Sequence, residues 1–313
     1  MAVYTHVPAE AMVALLARYG SARLVSAKGI AEGVENSNYL VETTASRFIL
    51  TLYEKRVDVA DLPFFMALLD HLADAGLPVP RAIRDRDGRQ IQEVEGRPAC
   101  LIEFLPGVSV THPTVPQAHA AGAALGRMHA ALADFPLGRP NALGLEGWIA
   151  LADRCGARLD EIAPGLAARV ADEIAWLRGA WPADLPTAVI HADLFPDNVL
   201  MLDDHVTGII DFYFACTEIR AWDLAVSLGA WCFGNDGTGY SAARAGAMIA
   251  GYEATFGLSD AERAALPALC RGAALRFLLT RAWDWLNTPA NALVTRKDPL
   301  AYLRRLDFYR DTA

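Results

Sequence analysis

The chain has 313 residues, of which 53% are hydrophobic and 21% charged. That is globular composition, and it excludes an extended disordered protein. The length allows about two domains. A formal net charge of −9 argues against a protein that tracks nucleic-acid phosphates.

Met1 to Pro8 contains no basic segment followed by an apolar core, so no secretory leader is expected. Apolar runs such as Leu224 to Phe233 and Ala273 to Leu279 are too short to span a bilayer, so no membrane partner is expected either. The five cysteines (Cys100, Cys155, Cys216, Cys232, Cys270) are odd in number and form no CxxC pair. They read as reduced core residues of a cytoplasmic protein.

In chain order, Pro8 to Tyr19 predicts an amphipathic helix, with Gly20 ending it. Tyr39 to Thr43 and Phe48 to Tyr53 predict strands around a polar turn. Leu62 to Ala75 predicts a second helix, closed by Gly76 and the Pro78/Pro80 pair. Two hairpins follow, turning at Asp87-Gly88 and Glu95-Gly96, the second delivering an apolar strand over Ala99 to Leu105.

After Pro106-Gly107 the pattern becomes helical from Gln117 to Leu132 onward. Short strands interrupt it at Val189-Ile190, Val199 to Leu202 and Val206 to Ile210. From Ala221 the helices resume, with a capping box at Ser259 and Glu262. These changes predict a β-rich N-terminal part, a hinge near Phe104 to Gly107, and a helix-rich C-terminal part, a frame suited to a ligand held in a cleft.

The densest chemistry is His191-Ala-Asp193-Leu-Phe-Pro-Asp-Asn198, followed by Ile209-Ile-Asp211-Phe. Phosphoryl transfer needs one carboxylate to orient and deprotonate the attacking hydroxyl. It needs another carboxylate and an amide oxygen to hold magnesium on the nucleotide phosphates. Asp193 and Asn198 share one loop and Asp211 ends the following strand pair, so the three are expected to converge. Upstream, Gly29-Ile-Ala-Glu-Gly33-Val-Glu-Asn36-Ser37-Asn38 offers glycines and backbone amides that could cover phosphates, or form a plain hairpin turn.

The His-x-Asp-x-x-x-x-Asn loop with its later aspartate resembles the protein-kinase-like superfamily, in its branch with aminoglycoside and choline kinases. The resemblance implies an α+β, two-lobed fold. Residues 1–105 would form a small antiparallel-sheet N-lobe and 106–313 a helical C-lobe. It implies Asp193 as the base, Asn198 and Asp211 as magnesium ligands, and His191 bracing the loop. The phosphate loop would involve Gly29, Gly33, Asn36, Ser37 and Asn38. Ile102 to Gly107 would link the lobes, with adenine bound at Glu103 and Phe104.

Three positions depart from that pattern. The strand that usually carries a phosphate-binding cation reads Phe48-Ile-Leu-Thr51, its partner glutamate falls at about Phe65, and the loop lysine of protein kinases is replaced by Phe195. Losing both members of an ion pair is coherent, because losing one would strand a buried charge. Lys28 and Lys55 are the candidate replacements beside magnesium.

Over nearly its whole length, in segments such as Lys28 to Leu40, Phe48 to Lys55, Ile210 to Cys216 and Arg276 to Trp285, the chain is similar to the bacterial homoserine kinases of this fold. The resemblance implies ATP, Mg2+ and L-homoserine as ligands. An amino-acid substrate calls for an acid to meet its ammonium and an Arg to capture its carboxylate. Asp223, Trp231, Arg276 and Asp284 are the candidates, and Arg276 and Asp284 are spaced to share roughly one helix face. Other readings are a kinase for hydroxylysine, a methylthioribose-like sugar or choline, or a nucleotide-binding pseudokinase.

Overall fold

A computed structural model describes residues 4–30, 36–54, 57–288 and 296–312. Gly33 and Lys55 lie outside the described residues. The chain divides into two compact units, Met1–Gly107 with Thr207–Tyr213, and Val108–Val206 with Phe214–Ala313.

The first unit starts with α1 (Ala9–Leu16) and a five-stranded sheet. Its strands are β1 (Leu24–Gly29), β2 (Ser37–Thr43), β3 (Arg47–Leu52), β4 (Gln92–Val94) and β5 (Arg97–Glu103). They run antiparallel in the order β1-β2-β3-β5-β4. Alternation in β2 buries Ser37, Tyr39 and Val41, the period that sends successive side chains to opposite faces. Met12, Leu15 and Leu16 of α1 join Tyr39, Val41, Leu50, Leu52 and Leu101 in one apolar cluster.

The second helix, α2 (Leu62–Asp74), buries Leu62, Phe65, Met66, Leu68, Leu69 and Leu72, the three-to-four spacing of one helix face. It ends at Gly76, whose φ of +80° lets Leu77 N–H turn back to the Leu72 carbonyl. At Asp87-Gly88 the chain turns as expected, with Gly88 N–H donating to the Asp85 carbonyl. Its flanks form no strand pair; across the turn Asp85 N–H donates to the Arg89 carbonyl at 2.9 Å, and the Asp85 carboxylate accepts the N–H groups of Asp87 and Arg89. The sequence predicts no strand at β1, because its five residues after Leu24 are all exposed and carry no apolar alternation.

The second unit contains β6 (Val108–Ser109), α3 (Val115–Ala131), α4 (Leu145–Cys155) and α5 (Leu166–Ala180). Next come β7 (Thr187–Ile190) and β8 (Val199–Leu202). Strand β9 (His205–Ile209) carries the chain back into the first unit, where Ile209 N–H donates to the Pro78 carbonyl. β10 (Cys216–Ile219) then pairs antiparallel with β7, and α6 (Arg220–Trp231), α7 (Ala242–Thr255), α8 (Asp260–Asn287) and α9 (Leu300–Thr312) complete the unit. Reciprocal capping boxes start α3 at Thr114/Gln117 and α8 at Ser259/Glu262.

α3 and α7 pack with backbones in close approach. A Cβ at Gly122 would run into the Met248 carbonyl, and one at Gly251 into the His119 carbonyl. This approach carries His129, at the end of α3, to Tyr252 of α7, with Nδ1 and the phenol oxygen 2.8 Å apart.

Candidate active site

The loop 191–198 follows β7 and closes in a short 3-10 turn at Pro196–Asn198. Five side chains hold it. His191 N–H and Ala192 N–H donate to the two carboxylate oxygens of Asp223, each at 2.8 Å. Trp231 Nε1 donates to the Leu194 carbonyl at 2.9 Å, and Arg276 Nη1 donates to the Ala192 carbonyl. The His191 ring is fully buried, and its Nδ1 accepts the Asp193 N–H at 3.2 Å, so it braces the loop from within.

Asn198 Nδ2 donates both to the Asp193 carbonyl at 2.8 Å and to Asp193 Oδ2 at 3.1 Å. A carboxylate can only accept, so the amide nitrogen must face it and Asn198 Oδ1 is turned elsewhere. Ala192 adopts φ +63°, a left-handed conformation that costs a non-glycine residue about 1–2 kcal/mol. The anchors on both of its sides hold it there.

Asp223 is itself fully buried, with His129 Nε2 at 3.1 Å from Oδ2. Burial pushes its carboxyl up. The His129 hydrogen bond, the charge of the two histidines and the His191 N–H outweigh this and hold it below the usual carboxylate range. The chain Tyr252, His129, Asp223 and the loop N–H groups is therefore a fixed scaffold around an anion.

In the first unit, Asp211 is exposed and follows β9 with φ +66°. Next to it Tyr213 packs edge-on against Tyr53, centroids 5.4 Å apart, and against Phe65 at 5.6 Å. The two phenol oxygens are 3.3 Å apart, and burial pushes both hydroxyls well above their ordinary pKa. Thr51, on the strand expected to carry a cation, is buried and donates to Asn38 Oδ1 at 2.7 Å. An aromatic cluster and a neutral hydrogen bond thus fill the ground where the family pattern has a Lys-Glu pair.

Several expectations for site residues are corrected. Asp223, assigned to a substrate ammonium, has both oxygens taken by the loop. Trp231, also a substrate candidate, is fully buried with its indole N–H spent on Leu194. Arg276 is 2% exposed and stacks on Phe277, Phe214 and Trp222 rather than opening onto a helix face. Asp284, two turns on in α8, is half-buried.

In the expected phosphate loop, Ser37 is fully buried. Its hydroxyl accepts from Tyr4 N–H at 2.8 Å and Thr5 N–H at 3.1 Å and donates to Glu54 at 2.7 Å. Asn36 is 5% exposed and accepts from Glu54 N–H. Asn36, Ser37 and Asn38 therefore tie the sheet together, and their side chains are committed before any phosphate arrives.

Lys28 and Gly29 are exposed at the end of β1, with Gly29 opposite Tyr39. Glu103 N–H is taken by the Arg81 carbonyl at 2.9 Å, and Phe104 is half-exposed beside the Arg47 guanidinium.

Sequence reasoning missed His129 and Tyr252 because their link to the loop is long-range. A usable signal existed at Asp223, a lone acid in the apolar run from Ala221 to Leu228. Acids are almost never buried unless paired.

A sheet-bearing unit, a helical unit and an aspartate-asparagine loop held on a buried acid define a protein-kinase-like phosphotransferase. Solved structures share the fold. An amicoumacin kinase, hAmiN, in complex with AMP-PNP, Ca2+ and Ami, matches with a TM-score of 0.72 at 16% identity, over 97% of this chain and 93% of that one. A choline kinase from Cryptosporidium parvum Iowa II matches with a TM-score of 0.69 at 14% identity, over 97% and 95%.

Residues 26–266 match the model of the phosphotransferase enzyme family, APH, and the chain belongs to that family. It is 55% identical over 315 residues to a homoserine kinase of Zymomonas mobilis, covering 100% of this chain and 98% of that protein. It is also 55% identical over 313 residues to a homoserine kinase of Methylorubrum populi, covering 100% and 97%.

Proposed function

We propose that this protein transfers the γ-phosphoryl group of ATP to the side-chain hydroxyl of L-homoserine, giving O-phospho-L-homoserine for threonine synthesis in the cytoplasm. The observation that carries this reading is the 55% identity to proteins named homoserine kinase, sustained from end to end of both chains. The loop geometry supports the reaction class, since Asp193 is half-buried and fixed by Asn198 and His191.

In this reading Asp193 orients the substrate hydroxyl and accepts its proton. The hydroxyl oxygen forms a bond to the γ-phosphorus while the bond to the β-phosphate oxygen breaks, and its electron pair leaves with ADP. Asn198 Oδ1 and the Asp211 carboxylate are hard oxygen donors that suit Mg2+, and the hydrogen bonds of Asn198 Nδ2 turn that oxygen away from Asp193. Bound Mg2+ would neutralise charge on the β- and γ-phosphates.

Residues 1–105 would serve the nucleotide as the N-lobe, through backbone groups near Gly29, Glu103 and Phe104 and the charge of Lys28. Residues 106–313 would supply the loop and the acceptor site as the C-lobe, with Asp284 left as the candidate acid for the substrate ammonium.

A coupled assay of ADP release tests the reading, run with Mg2+ against L-homoserine, L-serine, L-threonine, choline, hydroxylysine and methylthioribose. L-Homoserine should be turned over best. Turnover of choline or the sugar with none of homoserine would refute the substrate and leave the phosphotransferase standing.

A further inference from the structure

Tyr302, in α9, is 1% exposed, yet its phenol oxygen has no hydrogen-bond partner among the described residues. Its ring lies 5.0 Å from Phe277 and 6.4 Å from Phe195, the aromatic residue of the 191–198 loop, centroid to centroid. Phe195 and Phe277 are themselves 4.8 Å apart. A buried hydroxyl left unpaired carries its full desolvation cost, so this one calls for a missing acceptor.

Three guanidiniums surround these rings. Arg281 and Arg305 each place Cζ 4.5 Å from the Tyr302 centroid, and Arg276 places Cζ 4.4 Å from that of Phe277. Arg305 spends its donors on the carbonyls of Gly229, Ala301 and Gly234, and Arg276 gives Nη1 to Ala192 and has no partner at Nε. Among the described residues, Arg281 donates only to the Asp298 carbonyl, at 3.2 Å.

Among the described residues, no carboxylate forms an ion pair with any of these three. Arg276 and Arg305 are 2% and 4% exposed, and burial pushes both below the ordinary arginine pKa. Asp193 and Asp223 act on the Arg276 charge and Asp236 on that of Arg305, but none of them pairs directly with a guanidinium here. Buried positive charge lacking a direct ion pair is costly unless an anion joins it. The anion must be one that approaches the phosphoryl-transfer loop.

We propose that Tyr302 and Arg281 form the seat of the substrate's α-carboxylate, the phenol donating a hydrogen bond and Arg281 supplying the paired charge. Arg276 and Arg305 add fixed positive field, and Phe195 and Phe277 wall the seat against water. The inference rests on the amino-acid substrate proposed above and names the residues that distinguish it from a plain amino alcohol. Sites that pair a buried donor with a substrate group reject analogues lacking that group, because the donor is then stranded.

The test uses the full chain with Tyr302→Phe and, separately, Arg281→Met. Tyr302→Phe removes only the unpaired oxygen, so folding should be preserved. The KM for L-homoserine should rise about 10- to 100-fold, the span of one hydrogen bond to a charged group. The KM for ATP and kcat should change little.

The preference of wild type for L-homoserine over L-homoserine amide, which keeps the ammonium and hydroxyl, should collapse in both variants. A rise in the KM for ATP with that for homoserine unchanged would make the cluster a phosphate site and overturn the proposal. Unchanged kinetics in both variants, with wild type active on homoserine, would overturn the carboxylate seat alone. No homoserine turnover by the wild type would overturn the substrate reading and the seat together.

Discussion

Asp223→Asn is the sharpest perturbation of the loop scaffold. Asp223 accepts His191 N–H on one oxygen and Ala192 N–H on the other, both at 2.8 Å and in full burial. An amide has one accepting oxygen, so its NH2 must face one of those N–H groups whichever way it turns. A buried N–H left unpaired costs about 1–3 kcal/mol, and the surviving bonds drop from charge-assisted to neutral, roughly 1 kcal/mol more.

The expected loss of stability is therefore about 2–4 kcal/mol. Ala192 would also be released from φ +63°, moving Asp193, the next residue. A misplacement of about 1 Å can cost on the order of 10²-fold in rate, so kcat should fall by about that much. Urea unfolding and the ADP-release assay read the two effects on the same sample. Ser227→Ala is the control, because it removes only a hydrogen bond to the Asp223 carbonyl, worth about 1 kcal/mol. An Asp223→Asn protein within about 0.5 kcal/mol of wild type and with unchanged kcat would refute the scaffold.

Asp193→Asn should lower kcat by about 10²–10⁴-fold and spare ATP binding, measured by turnover and calorimetry. Burial pushes the Glu262 carboxyl up, but hydrogen bonds from Arg220 and Ser259 outweigh it and bring it down to about 2. The carboxylate therefore stabilises the fold above its unfolded pKa of about 4.3, and that stabilisation is lost as pH falls toward 2. The stability gap between wild type and Glu262→Gln should be present at pH 7 and shrink through that window, and a pH-independent gap would count against the pair. Gly251→Ala should cost at least about 1–3 kcal/mol by forcing α3 and α7 apart, seen as a lowered Tm, with kcat falling as His129 moves. If Lys28 meets the nucleotide phosphates, Lys28→Met should raise the KM for ATP and leave that for the acceptor unchanged.

Local patterns settled a large share of this molecule. The helical run Leu62 to Ala75 closed by Gly76, the strand-like run Tyr39 to Thr43 and the Ser259/Glu262 box each predicted an element that forms. These signals are short-range, so they survive without knowledge of the fold. The spacing of His191, Asp193 and Asn198 likewise marked a loop whose three residues do hydrogen-bond to one another. β1 escaped because an exposed strand leaves no apolar alternation to read.

What a side chain is free to do was decided only by tertiary structure. Asp223, Trp231 and Arg276 have residue types fit for a ligand, and the sequence by itself offers them to one. Packing brings them behind the loop, where a buried acid, an indole N–H and a guanidinium each find a backbone partner at once. Ser37 and Asn36 are spent in the same way on the N-terminal segment and Glu54. Tyr302 shows the converse, an ordinary residue in a C-terminal helix whose hydroxyl is isolated by burial. Sequence spacing specifies which chemical groups a chain owns and which face of an element they share. Whether each group is already satisfied depends on contacts between residues far apart in the chain, and those exist only once the core has closed.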